Sequence, residues 1–298
     1  MTGGWNLLSF SPADKRDFLT VFLPAQDGGM EIFMNILAIG DVVGDSGTNM
    51  VLEHLQELVR QYEIDFCVIN GENACSNNGI TRRKAEILLE AGADVITMGN
   101  HTFRQKETVH LLANNRRVIR PINYPQGTAG VGITTVEKNG KKIAVINALG
   151  RIYMDYMDCP FRTVETAVEQ CGADIILVDF HAEATSEKVS MGWFLDGRVT
   201  AVFGTHTHVQ TADAQVLPKG TGYITDLGMT GPFYSCLGVR KDITIQRFLS
   251  CLPQRFEFAD GAAQLNGAVF RVDDRTNRTT EVLTVRICPQ SSRRLEEK

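Results

Sequence analysis

Five short polar clusters follow apolar segments in this chain: Gly40-Asp41, Asn70-Gly71-Glu72-Asn73, Gly99-Asn100-His101, Asp179-Phe180-His181 and Gly204-Thr205-His206-Thr207-His208. Their polar side chains are mostly carboxylates, carboxamides and imidazoles, with no thiolate among them. Such donors suit Mn²⁺, Fe²⁺ or Zn²⁺ better than a closed structural zinc site does. Seven residues are candidate ligands: Asp41, Glu72, Asn73, Asn100, His181, His206 and His208. That is too many for one tetrahedral ion and about right for two metals sharing a bridging carboxylate. Two cations about 3.5–4 Å apart can deprotonate a bridging water and clamp both oxygens of an in-line displacement at phosphorus. His101, next to Asn100, is the candidate to protonate the leaving alkoxide or stabilise its charge.

Taken singly, most of these clusters have plainer explanations. Gly-Asp is a common strand-end turn. Glu72-Asn73 alone reads as a helix cap or loop pair, and a lone His181 as a hydrogen-bonded histidine. Gly-Thr-His-Thr-His is harder to dismiss, because two histidines at a strand end have little packing value. The combination decides. Four of the six histidines, His101, His181, His206 and His208, fall in such clusters, and the other two, His54 and His110, lie in predicted helices. His206 and His208 share a face if the segment is extended, and reach two metals only if the backbone turns between them.

The elements that must position these residues alternate between short apolar strands and amphipathic helices. Strands are expected at 35–40, 66–70, 95–98, 175–179, 199–203, 216–217 and 222–226. Helices are expected from Ser46 or Thr48 to Tyr62, then at 81–90, 105–113, 163–170, 186–194 and 243–249. Asn139-Gly140 between 133–136 and 143–147 is a strong hairpin signal, and 268–272 with 280–287 reads as a second antiparallel pair. Strand–helix units mixed with hairpins predict a layered α/β domain with mixed β-sheets flanked by helices. In open α/β sheets ligands lie beyond the carboxyl ends of the strands, so five strand-end clusters can converge on one place.

The 298 residues are 43% hydrophobic and 22% charged, with a formal net charge of −5. That balance argues against broad nucleic-acid binding, which rests on clustered Lys and Arg. No apolar run reaches the roughly 18–20 residues of a membrane span. Seven widely spaced cysteines with no Cys-x-x-Cys pair fit the reduced thiols of a cytoplasmic protein. Residues 1–33 lack sustained periodicity and read as an upstream extension with the natural start at Met34, or else as a short accessory element. Residues 34–288 read as one domain and 289–298 as a disordered tail. Trp193 and Phe194 near Met191 are candidates for an oligomer interface. Asn77, Asn78, Arg104, Tyr124 and 226–233 are candidates for lining the pocket by their nearness in sequence.

The ordered set Gly40-Asp41, Gly71-Glu72-Asn73, Gly99-Asn100-His101, His181 and Gly204-Thr205-His206-Thr207-His208 resembles the motifs of calcineurin-like metallophosphoesterases. Those motifs read Asp-x-His, Gly-Asp, Gly-Asn-His, His and Gly-His-x-His. This chain departs from them in three places. Val43 stands where the first motif has histidine, Glu72 replaces the usual aspartate, and Thr205 is additional. These departures, with the opening 34–44, resemble the YmdB-like phosphodiesterase branch over nearly the whole body. The resemblance implies one metal held by Asp41, Glu72, Asn73 and His208. A second would be held by Glu72, Asn100, His181 and His206, with Glu72 bridging and His101 catalytic. Mixed oxygen and nitrogen donors allow iron or manganese, with zinc also admitted, and the two-cation layout agrees with in-line attack of a metal-bridging hydroxide.

The implied substrates are small phosphodiesters, 2′,3′-cyclic or 3′,5′-cyclic AMP among them, with RNA ends included because a 2′,3′-cyclic phosphate is one. Two alternatives stay open. One is a phosphomonoesterase or nucleotidase with the same metals. The other is a metal-stabilised regulatory or scaffold protein with little turnover, which the missing histidine at Val43 keeps in view.

Overall fold

The computed structural model describes residues 33–289, so the expectations for 1–32 and 290–298 lie outside the described residues. Eight strands form a first sheet: β1 (Phe33–Ile39), β2 (Asp41–Val42), β3 (Ile64–Asn70), β4 (Val95–Thr97), β5 (Val118–Ile119), β12 (Met229–Pro232), β13 (Ala263–Asp273) and β14 (Thr279–Ile287). Their order is β2-β12-β13-β1-β3-β4-β5, with β14 also paired to β13. From β1 to β5 the pairing is parallel, whereas β13 runs antiparallel to both β1 and β14. A second sheet holds six strands in the order β10-β11-β9-β8-β7-β6. They are β6 (Ile133–Lys138), β7 (Lys141–Leu149), β8 (Ile175–His181), β9 (Ala201–Thr205), β10 (Gln215–Val216) and β11 (Gly222–Ile224).

Alternation along the strands builds three apolar layers. In β1, Ile36 and Ala38 face inward and meet Phe66 and Val68 of β3 with Val145, Leu177 and Phe203 of the second sheet. Leu37 and Ile39 face outward onto Val51, Leu55 and Leu58 of α1 (Gly44–Gln61). The helices α2 (Arg82–Ala91) and α3 (Thr108–Asn114) extend that outer layer through Ala85, Leu88, Leu111 and Leu112. The far face of the second sheet packs on α4 (Pro160–Cys171) and α5 (Thr185–Leu195) through Val164, Met191 and Leu195. Strands buried on both faces read as unbroken apolar runs, as Ile36 to Ile39 does. Each such side chain stabilises the fold by about 1.5–3 kcal/mol. The expected sandwich of mixed sheets flanked by helices is therefore the architecture observed.

The local differences have physical causes. β1 starts at Phe33 rather than after it, because Phe33 pairs with Asp273. α1 starts at Gly44, before the expected caps. Gly44 has φ +62° and its N–H donates to the Asn73 carbonyl, so the chain turns from β2 directly into the helix. Ser46 and Thr48 lie inside α1 and donate back to the carbonyls of Val43 and Gly44. α3 begins later than residue 105 because Thr102 and Gln105 are tied to the Gly99 and Asn78 carbonyls. Asn139 and Gly140, with φ 49° and 75°, form the expected two-residue hairpin turn. α6 (Lys241–Ser250) spans the helix expected at 243–249 and buries none of its residues. Trp193 is exposed, while Phe194 packs against the Phe161 ring.

Candidate active site

Asp41 follows β1, Glu72 and Asn73 follow β3, and Asn100 follows β4. His181 closes β8, and His206 and His208 follow β9. The sandwich brings these ends of both sheets together. Glycine makes the approach close enough at Gly99, where a Cβ would collide with the Glu72 carboxylate and the His181 ring. His206 and His208 have φ 100° and 64°. Such strained backbone costs on the order of 1–3 kcal/mol per residue. It turns the two rings toward different partners, as two separate destinations require.

Around His206, the donor atoms of Glu72, His181 and His206 lie within 4.8 Å of one another. His181 Nε2 is 3.0 Å from Asn100 Oδ1, 3.3 Å from Glu72 Oε1 and 3.1 Å from His206 Nδ1. His206 Nε2 is 3.0 Å from Glu183 Oε2. Around His208, Nε2 is 3.2 Å from Asn73 Nδ2 and 3.7 Å from Asp41 Oδ1. His208 Nδ1 donates to the Leu237 carbonyl at 3.0 Å, which fixes the tautomer and leaves Nε2 with its lone pair facing inward. Asn73 Nδ2 also donates to Glu72 Oε1 at 3.1 Å. The neutral amide hydrogens of Asn73 thus stand between two inward-facing acceptors, while its Oδ1 is turned to His101.

Asp41 Oδ2 accepts the His206 main-chain N–H at 3.1 Å, but Oδ1 is buried with no hydrogen-bond partner among the described residues. An unsatisfied buried acceptor costs about 1–3 kcal/mol, and more when charged. A cation beside Asp41 and His208 removes that cost. The unpaired oxygen, the close approach secured by Gly99 and the converging nitrogens fit divalent metal ions.

Burial alone would raise the carboxyl of Glu72, but the charges and hydrogen bonds of His181 and His101 hold it well below the usual range. Burial pushes Asp41 up. Burial opposes the charge of His181, yet Glu72 and Asp41 outweigh it and push the ring up to about 9. Burial and then the His181 charge push His206 down to about 3.

His101 Nδ1 donates to Asn73 Oδ1 at 2.9 Å and lies 3.2 Å from Glu72 Oε1, while its main-chain N–H donates to Glu72 Oε2. Its Nε2 is 3.3 Å from Asn78 Nδ2, and its side chain is 20% exposed, enough for a substrate to reach. Among the suggested lining residues, Asn78 therefore touches the site. Tyr124 packs edge-on against Phe103, and burial with the Glu72 charge pushes its phenol up. Arg104 is exposed, with its main chain on the His101 carbonyl. Asn77 lines a cavity of about 710 Å³ between the start of α1 and residues 255–261, which none of the candidate ligands lines.

Asp226 corrects the expectation that it lines the pocket. It is fully buried and paired with Lys188, and it accepts the Thr207 and Gly228 N–H groups beneath the His206–His208 turn. Sequence reasoning also missed Glu183, and it left Thr205 without a role.

The profile of the YmdB-like protein family matches residues 37–285. A 2′,3′-cyclic-nucleotide 2′-phosphodiesterase of Bacillus subtilis (strain 168) is 47% identical over 251 residues, 84% of this chain and 95% of that protein. The crystal structure of a novel phosphatase from Mycoplasma pneumoniae superposes with a TM-score of 0.84 at 36% identity, covering 90% of this chain and 98% of that one. That of a hypothetical protein from Thermus thermophilus gives 0.81 at 42% identity, covering 86% and 100%.

Proposed function

The chain belongs to the YmdB-like protein family, and from that premise we propose that it is a dinuclear-metal phosphodiesterase that hydrolyses 2′,3′-cyclic nucleotides. The observation that carries this reading is the position of the Glu72 carboxylate. It lies against His181 on one side and, through Asn73, against His208 on the other. Asp41, Glu72, Asn73 and His208 would hold one ion, and Glu72, Asn100, His181 and His206 the other. Oxygen and imidazole donors favour iron or manganese and admit zinc. When bound, the ions supply an activated water and neutralise charge at phosphorus.

The chain's own residues supply the rest. Glu72 accepts the His101 main-chain N–H and so aims that ring. Asn73 and Glu72 keep the His101 proton on Nδ1. Nε2, beside Asn78, then faces the leaving ribose 2′ oxygen and would give it a proton from the ring carrying hydrogens on both nitrogens, leaving the Nδ1–H tautomer behind. Residues 34–288 carry the activity as one domain, and the substrates include RNA ends that bear a 2′,3′-cyclic phosphate.

The test is hydrolysis of 2′,3′-cyclic AMP by chelator-stripped protein before and after Mn²⁺ is returned. The 3′,5′-cyclic isomer and a phosphomonoester run alongside. Activity on the 2′,3′ isomer that vanishes and returns is expected. Faster turnover of the monoester replaces this reading with a phosphomonoesterase. Two bound ions with no turnover of any of the three leave the metal-stabilised scaffold.

A further inference from the structure

Thr205 is the residue added between Gly204 and His206, and its hydroxyl sits at the junction of a closed polar network. Oγ1 lies 2.7 Å from Asp179 Oδ1, 2.9 Å from His181 Nδ1 and 3.3 Å from Asn70 Nδ2. Asp179 Oδ2 accepts from Asn70 Nδ2 at 3.0 Å and from the Thr97 hydroxyl. Asn70, Thr97, Asp179, His181 and Thr205 are each at most 1% exposed. Water is therefore not available to replace any of these bonds.

Counting hydrogens fixes the direction of each bond. The Asn70 amide is oriented because its Oδ1 accepts the Glu72 main-chain N–H at 3.2 Å, so its NH₂ faces Asp179 and Thr205. A carboxylate only accepts, and Asp179 takes three donors. The single Thr205 hydrogen goes to Asp179. Its oxygen can then only accept from His181, so His181 carries a proton on Nδ1. Nε2 is left to face Glu72, Asn100 and His206.

We propose that Thr205, held by Asp179, is a positioning residue that fixes the tautomer and the aim of His181 toward a metal ion. The network also sets the spacing of the donors. Asn70 and Thr97 are paired in the first sheet, and His181 and Thr205 in the second. The Asp179 carboxylate ties the two sheets together beneath the site. Because Asn70 also holds the Glu72 main chain, one network places a carboxylate from one sheet and an imidazole from the other. The added Thr205 thus carries the hydroxyl that links His181 to Asp179.

This inference rests on the metal-site reading but not on the substrate, so its test reads metal binding. Mn²⁺ affinity and stoichiometry are measured by calorimetry on the full chain for wild type, Thr205→Val and Thr205→Ser, with the metal-free unfolding midpoint of each. Loss of an outer partner of a ligating histidine typically costs about 10–100-fold in metal affinity. Thr205→Val, which keeps the shape and removes the hydroxyl, should lose that much at one of two sites. Thr205→Ser, which keeps the hydroxyl, should lose less than that about 10–100-fold and bind close to wild type.

Wild-type affinity in Thr205→Val overturns the proposal, as does a Thr205→Ser variant as weak as Thr205→Val. If Thr205→Val does not fold, the ¹⁵N shifts of His181 in Zn²⁺-loaded wild type decide. A proton on Nδ1 is expected, and a proton on Nε2 overturns the assignment. Tight binding of two ions without hydrolysis of cyclic nucleotides would count against the proposed function and leave this inference standing.

Discussion

The two sheets bring different chemistry to one centre. The ends of the first sheet carry the carboxylates and carboxamides of Asp41, Glu72, Asn73 and Asn100, and those of the second carry the imidazoles of His181, His206 and His208. A carboxylate can offer either oxygen to a cation and needs no proton to be placed. An imidazole ligates through one nitrogen only if the other carries the proton, so each ring needs a partner behind it. His181 has Thr205, His206 has Glu183, and His208 has the Leu237 carbonyl. The oxygen side is therefore specified mainly by where the strands end. The nitrogen side also depends on residues that never touch a ligand.

The largest expected effect comes from the group common to both sets. Glu72→Gln removes the charge held between His181 and His101 and leaves both rings facing a neutral amide. It should abolish binding of both ions and lower hydrolysis at least about 10³-fold. That exceeds the usual loss of about 10–100-fold for removing an outer partner. Calorimetry with Mn²⁺ beside a turnover assay checks it. Retention of one tight ion would break the symmetry assigned to Glu72.

His101→Gln sharpens the comparison from the other side, because it removes a proton carrier and not a ligand. Metal stoichiometry should stay at two, while turnover falls about 10²–10⁴-fold, the usual worth of general acid catalysis. Loss of metal in step with activity would instead make His101 a ligand or an orienter of Asn73, whose Oδ1 it touches.

Much of this was legible in the sequence, and the boundary is physical. The strand-end clusters stand out because Asp, Glu, Asn and His seldom follow apolar runs in such number without chemistry to do. β1, β3 and β8 stand out as apolar runs, and α2 by its helical spacing. β2, β5 and β12 have only two to four residues each, too few to show a period. The Leu237 carbonyl has no sequence signature, since every residue has one. Glu183 reads as an ordinary exposed acid until folding places it on His206. Asp226 follows β11 as Asp41 follows β1, but Lys188 of α5 reaches under the turn and converts it into a buried ion pair. Sequence alone does not separate those two aspartates.

The two neighbouring histidines of the nitrogen side should respond oppositely to pH in the metal-free protein. His181 is raised from its ordinary 6.5 to about 9, so its ion pair with Glu72 is fully present below about 6.5 and is lost as pH rises through about 9. His206 is lowered to about 3, so its contribution is present above 6.5 and is lost as pH falls toward 3. A metal ion must displace the His181 proton but none from His206. Apparent Mn²⁺ affinity should therefore rise from pH 6.5 to 9, with about one proton released per protein at pH 7.5. Calorimetry in two buffers of different ionisation enthalpy measures this directly. Release of no proton would show that His181 is already neutral.

The smallest effect should come from the exposed counterpart of the Thr205 network. Glu183 meets His206 Nε2 at 3.0 Å, as Thr205 meets His181 Nδ1 at 2.9 Å, but the Glu183 side chain is 48% exposed. Exposed charge pairs contribute about 0–1 kcal/mol, because water competes for both partners. When Glu183→Gln or Glu183→Ala removes the carboxylate, solvent can accept the His206 proton in its place. The backbone also holds that ring without Glu183, since the His206 N–H is fixed on Asp41 and the turn is braced by Asp226. Mn²⁺ affinity should then fall by no more than about fivefold, the equivalent of 1 kcal/mol. The fall for Thr205→Val, about 10–100-fold, should be at least about twice as large. If the two losses come out equal, burial is not what makes the partner of an imidazole matter here, and the position of the ring along the strand must be.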